Sequence, residues 1–248
     1  LNSRISLLPT VGNGEHRGTA INDVGTIVGL RNDGVSPFVV AILYRWDPAL
    51  QTYLGTELVE ADLRGRTIDI NNAGQMVVVG AVWGTGYRLT PQSDGSLATD
   101  FYEDLAPLAI NEKGVFCGSM NIPRKRFRED ASFRYSDADG LEILQESRQP
   151  DAATGINSAA DVCMIGERRQ GFLWWENDPA SADDNILLPL DDLVVGTDLD
   201  LLQWYDATFH ILPQAITSRD LTGFGQIGGT AWLGGVSYAA FVLTPVPL

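Results

Sequence analysis

From Ala20 the chain reads AINDVGTIVG: two apolar residues, a polar Asn-x-x-Gly, then an apolar run closed by Gly. The pattern returns as DINNAGQMVVVG from Asp69, AINEKGVFCG from Ala109 and GINSAADVCMIG from Gly155, and in worn form as AITSRDLTGFGQIGG from Ala215. Apolar positions recur at every second residue or in short runs, and helical spacing is absent, so each copy predicts two short strands joined by a turn. Asn suits the turn because its side chain bonds its own backbone, and Gly because it tolerates positive φ. After each copy comes an aromatic stretch: AILYRWDP at Ala41, GYRLTP at Gly86, ASFRYSD at Ala131, GFLWWENDP at Gly171 and AAFVLTPVP at Ala239. An apolar stretch such as TYLG at Thr52, LEIL at Leu141 or NILLPL at Asn185 follows most of these. One unit is therefore four antiparallel strands, a to d, with the Asn-x-x-Gly turn between a and b.

The anchoring Ile falls at 21, 70, 110, 156 and 216, giving spacings of 49, 40, 46 and 60. Periods of this size indicate propellers or solenoids. The chain begins with RISLLP, a strand-d phrase, and ends just after a strand c. A first strand that completes the last unit closes a ring and leaves no open edge, which favours a propeller over a capped solenoid. The expected fold is an all-β, five-bladed β-propeller of four-stranded antiparallel blades, closed by the N-terminal strand. It forms a single domain over 1–248, with blades at about 14–58, 65–105, 106–148, 152–190 and 212–248 plus 3–9. Six blades is the alternative, because the longest spacing could hide a degenerate copy. Against it, the excursion 191–212 has no Asn-x-x-Gly turn followed by an aromatic strand.

The recurring aromatics Trp46, Tyr87, Phe133, Trp174 and Phe241 are read as packing between blades. Cys117 and Cys163 each stand six residues after a turn Asn, where other copies have Val28 and Val77. They are read as small buried hydrophobes replacing valine, with a disulfide between neighbouring units as the alternative.

Composition changes this picture little. Of 248 residues 44% are hydrophobic and 20% charged, as in ordinary globular proteins, and 26 Gly favour strands and turns. The formal charge of −15 repels phosphate backbones and anionic lipid, so no nucleic-acid partner is expected. The longest uncharged run, Leu221–Leu248, holds six Gly, two Pro and a repeat phrase. It is read as strands, with no membrane insertion of this domain. No signal peptide is visible at Leu1, so the chain is expected to be intracellular or already processed.

INxxGxxVG followed by AFLW or AFVLTP resembles the bacterial HAF-repeat family of extracellular repeat proteins. The likeness covers all five units, although Thr217 replaces the turn Asn in the fifth. The closing LTPVP is similar to the segment preceding a PEP-CTERM sorting anchor; the anchor itself is missing, which implies that the chain has been cut short. The resemblance implies export to the outside or surface of a bacterial cell. It implies no activity, substrate or catalytic residue.

Motifs for zinc, phosphate or nucleophilic chemistry are absent: there is no HExxH, no CxxC pair, no P-loop and no GxSxG. His16 and His210 are the only histidines, too few for a triad or a multi-histidine metal site. The acidic runs at Asp137, Asp183, Asp191 and Asp198 read as turns and loops rather than as calcium ligands. No cofactor and no metal are expected.

One feature opposes the overall charge. Arg124, Lys125, Arg126 and Arg128 fall in the b–c connection of unit three, and Arg168 and Arg169 in that of unit four. In up-and-down blades these connections share a face with the d-to-a links, and therefore with the excursion Asp191–Pro213. Excursions of this length are uncommon in compact domains and often functional. This one carries Trp204, Tyr205 and His210, suited to stacking on a sugar ring. One reading is a ligand site in which Arg124, Arg126, Arg168 and Arg169 hold an anionic group beside Trp204, Tyr205 and His210. The other is a set of solvated hairpin tips and a plug for one end of the channel. At the level of function, the expectation is a non-catalytic extracellular binding or structural module, monomeric, whose partner is an anionic or neutral glycan or a surface protein. The alternative is a secreted polysaccharide-active hydrolase or lyase with carboxylates drawn from several loops.

Overall fold

The Asn-x-x-Gly phrase folds as a tight turn between two paired strands, and its repetition sets out a series of sheets. The structure is a computed structural model that describes residues 8–32, 34, 39–58, 65–82, 84–123, 128–145, 152–166, 171–175, 186–190, 210–216, 226–233 and 237–244. The first sheet comprises β1 (Glu15–Ile21), β2 (Ile27–Asn32), β3 (Val40–Asp47) and β4 (Thr52–Glu57). The second comprises β5 (Gly65–Ile70), β6 (Met76–Gly80), β7 (Gly86–Pro91) and β8 (Leu97–Tyr102). The third comprises β9 (Leu105–Ile110), β10 (Phe116–Pro123), β11 (Arg128–Ser136) and β12 (Gly140–Gln145). The fourth comprises β13 (Ala152–Ile156), β14 (Val162–Ile165), β15 (Gly171–Trp175) and β16 (Ile186–Pro189). In the fifth the described strands are β17 (His210–Ile216), β18 (Ile227–Leu233) and β19 (Ser237–Leu243).

Each sheet is ordered as the chain runs, with neighbours antiparallel. The all-β reading and the repeated four-stranded antiparallel unit are therefore observed. Residues 1–7, expected to complete the last blade, lie outside the described residues. Two compact units are present: Leu1–Pro107, with the first two sheets, and Leu108–Leu248, with the last three apart from the start of β9.

A strand exposes alternate residues to opposite faces, and the repeat uses both faces. In the first unit Val28, six residues after Asn22, packs in one cluster with Met76, Val78 and Leu89 of the second sheet. In the second unit Cys117, six after Asn111, packs with Val162, Met164 and Trp174 of the fourth sheet. Cys163, six after Asn157, packs with Ile227 of the fifth. Within each unit, then, the residue six beyond the turn Asn (Val28, Cys117 or Cys163) faces the following sheet, while those five and seven beyond it in that following sheet (Met76 and Val78, or Val162 and Met164) face back. Val28, Val77, Cys117 and Cys163 are all fully buried. Both cysteines are free thiols, as their substitution for valine predicts. Burying a side chain of this kind contributes about 1.5–3 kcal/mol.

Strand a carries a feature that no residue pattern announced. Its register against strand b slips by one residue between Gly18 and Ala20, Thr67 and Asp69, Ala153 and Gly155, and Pro213 and Ala215. The bulged residues are Thr19, Ile68, Thr154 and Gln214. Where the bulge is threonine, the hydroxyl donates to the carbonyl of the buried strand-b residue: Thr19 to Val28 at 3.2 Å and Thr154 to Cys163 at 3.3 Å. A bulge at the same place in each of these sheets increases the local twist in the same way.

The aromatic positions need one correction. Phe133 and Trp174 are buried, but Trp46 is 48% exposed and meets Tyr53 edge-on at 5.3 Å across the β3–β4 pair. Register explains this: Trp174 lies opposite Val162, and its counterpart opposite Ile27 is the fully buried Tyr44, two residues before Trp46. The side chain of Phe241 lies outside what the structure describes.

Candidate functional site

The turn residues that mark the repeat are largely occupied with one another. Asn111 is buried; its Oδ1 accepts from the backbone N–H of Lys113 and Val115, both at 3.0 Å. Its Nδ2 donates to the carbonyl of Asn157 at 2.8 Å, tying one turn to the next. In the first unit Asn22 Nδ2 donates to the Asn71 carbonyl at 3.1 Å in the same way. The turn tips there are joined as well: Asp23 N donates to Asn72 Oδ1 at 2.8 Å and Asn72 Nδ2 to Asp23 Oδ2 at 2.6 Å. The fourth residue of each described turn has positive φ, 77° at Gly74 and 69° at Ala160, where the fourth copy lacks glycine.

Two strand-c arginines, Arg88 and Arg134, are held by carboxylates of strand d. Arg88 bonds Asp100 through Nε at 3.2 Å and Nη2 at 2.9 Å. At the equivalent register Arg134 bonds Glu142 through Nε at 2.9 Å and Nη2 at 2.6 Å. Arg134 also donates to the Ala160 carbonyl at 3.3 Å and lies 4.5 Å from the ring centroid of Trp174, a cation–π contact between sheets of the second unit. Arg31 pairs with Glu57 at 2.8 Å. His16 is tied locally, its Nε2 within 2.9 Å of the Val11 carbonyl oxygen and 3.1 Å of Val11 N.

A cleft of about 220 Å³ opens beside the turns of the first unit. Its apolar floor is formed by Leu43, Ile70 and Met76, all buried. Arg45, Asn72 and Pro91 stand among its walls, and Val24, 72% exposed, belongs to its rim. Arg45 is solvent-exposed and holds no carboxylate among the described residues. It escaped the reading of the sequence because AILYRWDP looks like one more aromatic strand.

Protonation is perturbed at a few points away from the cleft. Burial pushes the Cys163 thiol up to about 12, partly opposed by the Thr154 hydroxyl. Burial also raises Tyr44, whose hydroxyl has no hydrogen-bond partner among the described residues. At the exposed β7–β8 turn, hydrogen bonds from the Ser96 hydroxyl and backbone N–H lower Asp94. Among the described residues no three His, Cys, Asp or Glu side chains gather as they would around a metal ion. No described helix is long and apolar enough to cross a membrane.

Of the residues singled out from the sequence, Arg124, Arg126, Arg168, Arg169, Trp204 and Tyr205 lie outside the described residues. His210 opens β17 and pairs there with Trp232 along the backbone. The strands that flank the basic segments are described: β10 and β11 pair out to Pro123 and Arg128, and β14 and β15 to Ile165 and Gly171. These ends are opposite to the Asn turns within their own sheets.

No family model matches the chain, and no curated protein matches it. Among solved structures it is similar to that of streptogramin B lyase, at 9% sequence identity and a TM-score of 0.43, over 96% of this chain and 86% of that one.

Proposed function

We propose that the chain is a five-bladed β-propeller of the bacterial HAF-repeat type that works outside the cell as a non-catalytic binding module. The observation that carries this reading is how the repeated polar groups are used. The turn asparagines and the strand-c arginines Arg88 and Arg134 are committed to turns, neighbouring sheets and cross-strand carboxylates. The repeated chemistry of the unit thus maintains a frame, and recognition is left to the connections that differ between units. Binding residues are found disproportionately on such connections when a rigid scaffold positions them. The connections after β10 and β14 carry Arg124, Arg126, Arg168 and Arg169, and the segment between β16 and β17 carries Trp204 and Tyr205. Planar guanidinium groups suit carboxylates and aromatic faces suit sugar rings, so the partner class is an anionic glycan. Ring closure belongs to the same reading: Arg4–Leu8 would pair with β19 as the fourth strand of the last blade.

The test is binding of the full chain to a uronic-acid-rich polysaccharide at low and high salt. Salt-sensitive binding that falls when Arg168 and Arg169 are both changed to Ala supports the reading. Absence of salt-sensitive binding across a broad panel of anionic glycans refutes it, and shortening of the polysaccharide by the protein would replace it with a hydrolase or lyase.

A further inference from the structure

We infer that the cleft beside the turns of the first unit binds a small aliphatic carboxylate, held by Arg45 over the floor of Leu43, Ile70 and Met76. The inference is independent of the basic connections discussed above, because the cleft is built from Asn turns and the ends of β3 and β7.

Two observations converge on it. The first concerns charge. Three other strand arginines, Arg31, Arg88 and Arg134, each hold a carboxylate within 2.9 Å. Arg45 lines the cleft and holds none among the described residues, in a protein with 32 acidic residues against 17 basic ones. A guanidinium in an acidic protein that is left for solvent is a ready receptor for an incoming carboxylate. The second concerns shape and polarity. The floor is apolar, and Leu43 and Met76 are 5% and 1% exposed, so they form the fixed surface of the core rather than a mobile rim. The tip-to-tip bonds between Asp23 and Asn72 brace the mouth, so the cleft is formed before a ligand arrives. Drug-sized ligands need about 300 Å³ or more. A cleft of about 220 Å³ instead suits a short chain of about four to six carbons with its acid group at Arg45. Two sources offer this chemistry: a free short-chain acid, or the C-terminal residue of a peptide ending in an aliphatic side chain.

Calorimetric titration of the full chain with pentanoate, pentanamide and N-acetyl-leucine tests the inference. The acids bind, and pentanamide binds at least about tenfold more weakly, as loss of a charge-assisted bond requires. Arg45→Gln weakens the acids by a similar factor and leaves pentanamide unaffected, with an unchanged melting temperature because Arg45 pairs with no described group. Ala73→Leu, which fills an exposed wall of the cleft while keeping Arg45, abolishes binding of all three. Tighter binding of N-acetyl-leucine assigns the site to peptide termini, and tighter binding of pentanoate to free acids. The inference is overturned if neither acid binds, if pentanamide equals pentanoate, or if both variants bind like the parent.

Discussion

Replacing Asn111 by Ala removes one of the well-connected turn side chains. At least three hydrogen bonds go with it: those from Lys113 N and Val115 N, and the one to the Asn157 carbonyl. Each contributes about 1 kcal/mol net. The Asn157 carbonyl keeps a second donor, the Ala160 N–H at 2.9 Å, so no further penalty arises there. The backbone bonds of the turn, Asn111 N to Val115 O and Gly114 N to Asn111 O, do not depend on the side chain. The expected loss is therefore about 3 kcal/mol, read as a lower urea midpoint at constant slope and a melting temperature lower by roughly 6–12 °C. Asn22→Ala, which loses the bonds to Thr26 N and the Asn71 carbonyl, costs about 2 kcal/mol. Asn111→Asp adds a signature. Its carboxylate keeps the two acceptor roles but turns a negative oxygen toward the Asn157 carbonyl, which raises the folded-state pKa above the unfolded one. The folded state then binds the proton more tightly, so the defect of this variant shrinks as pH falls through the raised value. A loss below about 1 kcal/mol for Asn111→Ala, or a defect of Asn111→Asp that does not change with pH, would refute the account of the turns.

Ala160→Gly relieves a left-handed alanine, at φ 69°, and should stabilise the protein by about 0.5–1 kcal/mol, while Gly114→Ala, at φ 77°, should destabilise it; paired urea curves decide. Cys117 and Cys163 should react with an alkylating reagent only after denaturation. Because the folded Cys163 thiol sits near 12, above its unfolded value, its contribution is complete at neutral pH. It declines as pH rises from the unfolded value toward about 12, with a slope approaching ~1.4 kcal/mol per pH unit that Cys163→Val abolishes. Deleting Leu1–Pro9 should lower the melting temperature markedly if these residues complete the last sheet, and an unchanged value counts against ring closure.

Much of the architecture could be read from residues because the turn needs particular chemistry. Asn offers an acceptor for the following N–H groups and a donor that reaches the neighbouring turn from Asn22 and Asn111 and its own turn from Asn71 and Asn157, so its recurrence located the a–b pairs. Cysteine at a valine position was legible for a similar reason, since a fully buried strand-b site accepts either small apolar group. The bulge was not legible: Thr, Ile, Thr and Gln occupy it, because an extra residue in a ladder asks for backbone freedom rather than for a side chain. The Arg–carboxylate pairs were hidden by hairpin length. Arg88 and Asp100 are 12 residues apart, and Arg134 and Glu142 are 8 apart, although each pair lies directly opposite in register. Trp46 was misplaced because composition marks an aromatic strand without saying which of its alternate positions faces inward. Arg45 needed the fold, since nothing in its sequence neighbourhood distinguishes it from a paired surface arginine.

The alternation of faces along strand b has a consequence for how the copies could drift apart. A valine at the forward-facing position in the first sheet, Val28, shares a cluster with Leu89 of the second. The smaller Cys117 in the third shares a cluster with the much larger Trp174 of the fourth. Close-packed interiors tolerate exchange of shapes only when the total volume is kept. Within each unit the filling of the core is therefore shared between neighbouring sheets, and each copy's filling answers to its neighbour as well as to its own strands. A unit transplanted alone into another place in the array would bring two mismatched seams, whereas a pair of adjacent units moved together would carry one matched seam intact. In a lineage of such proteins, the heritable module is the joint between repeats.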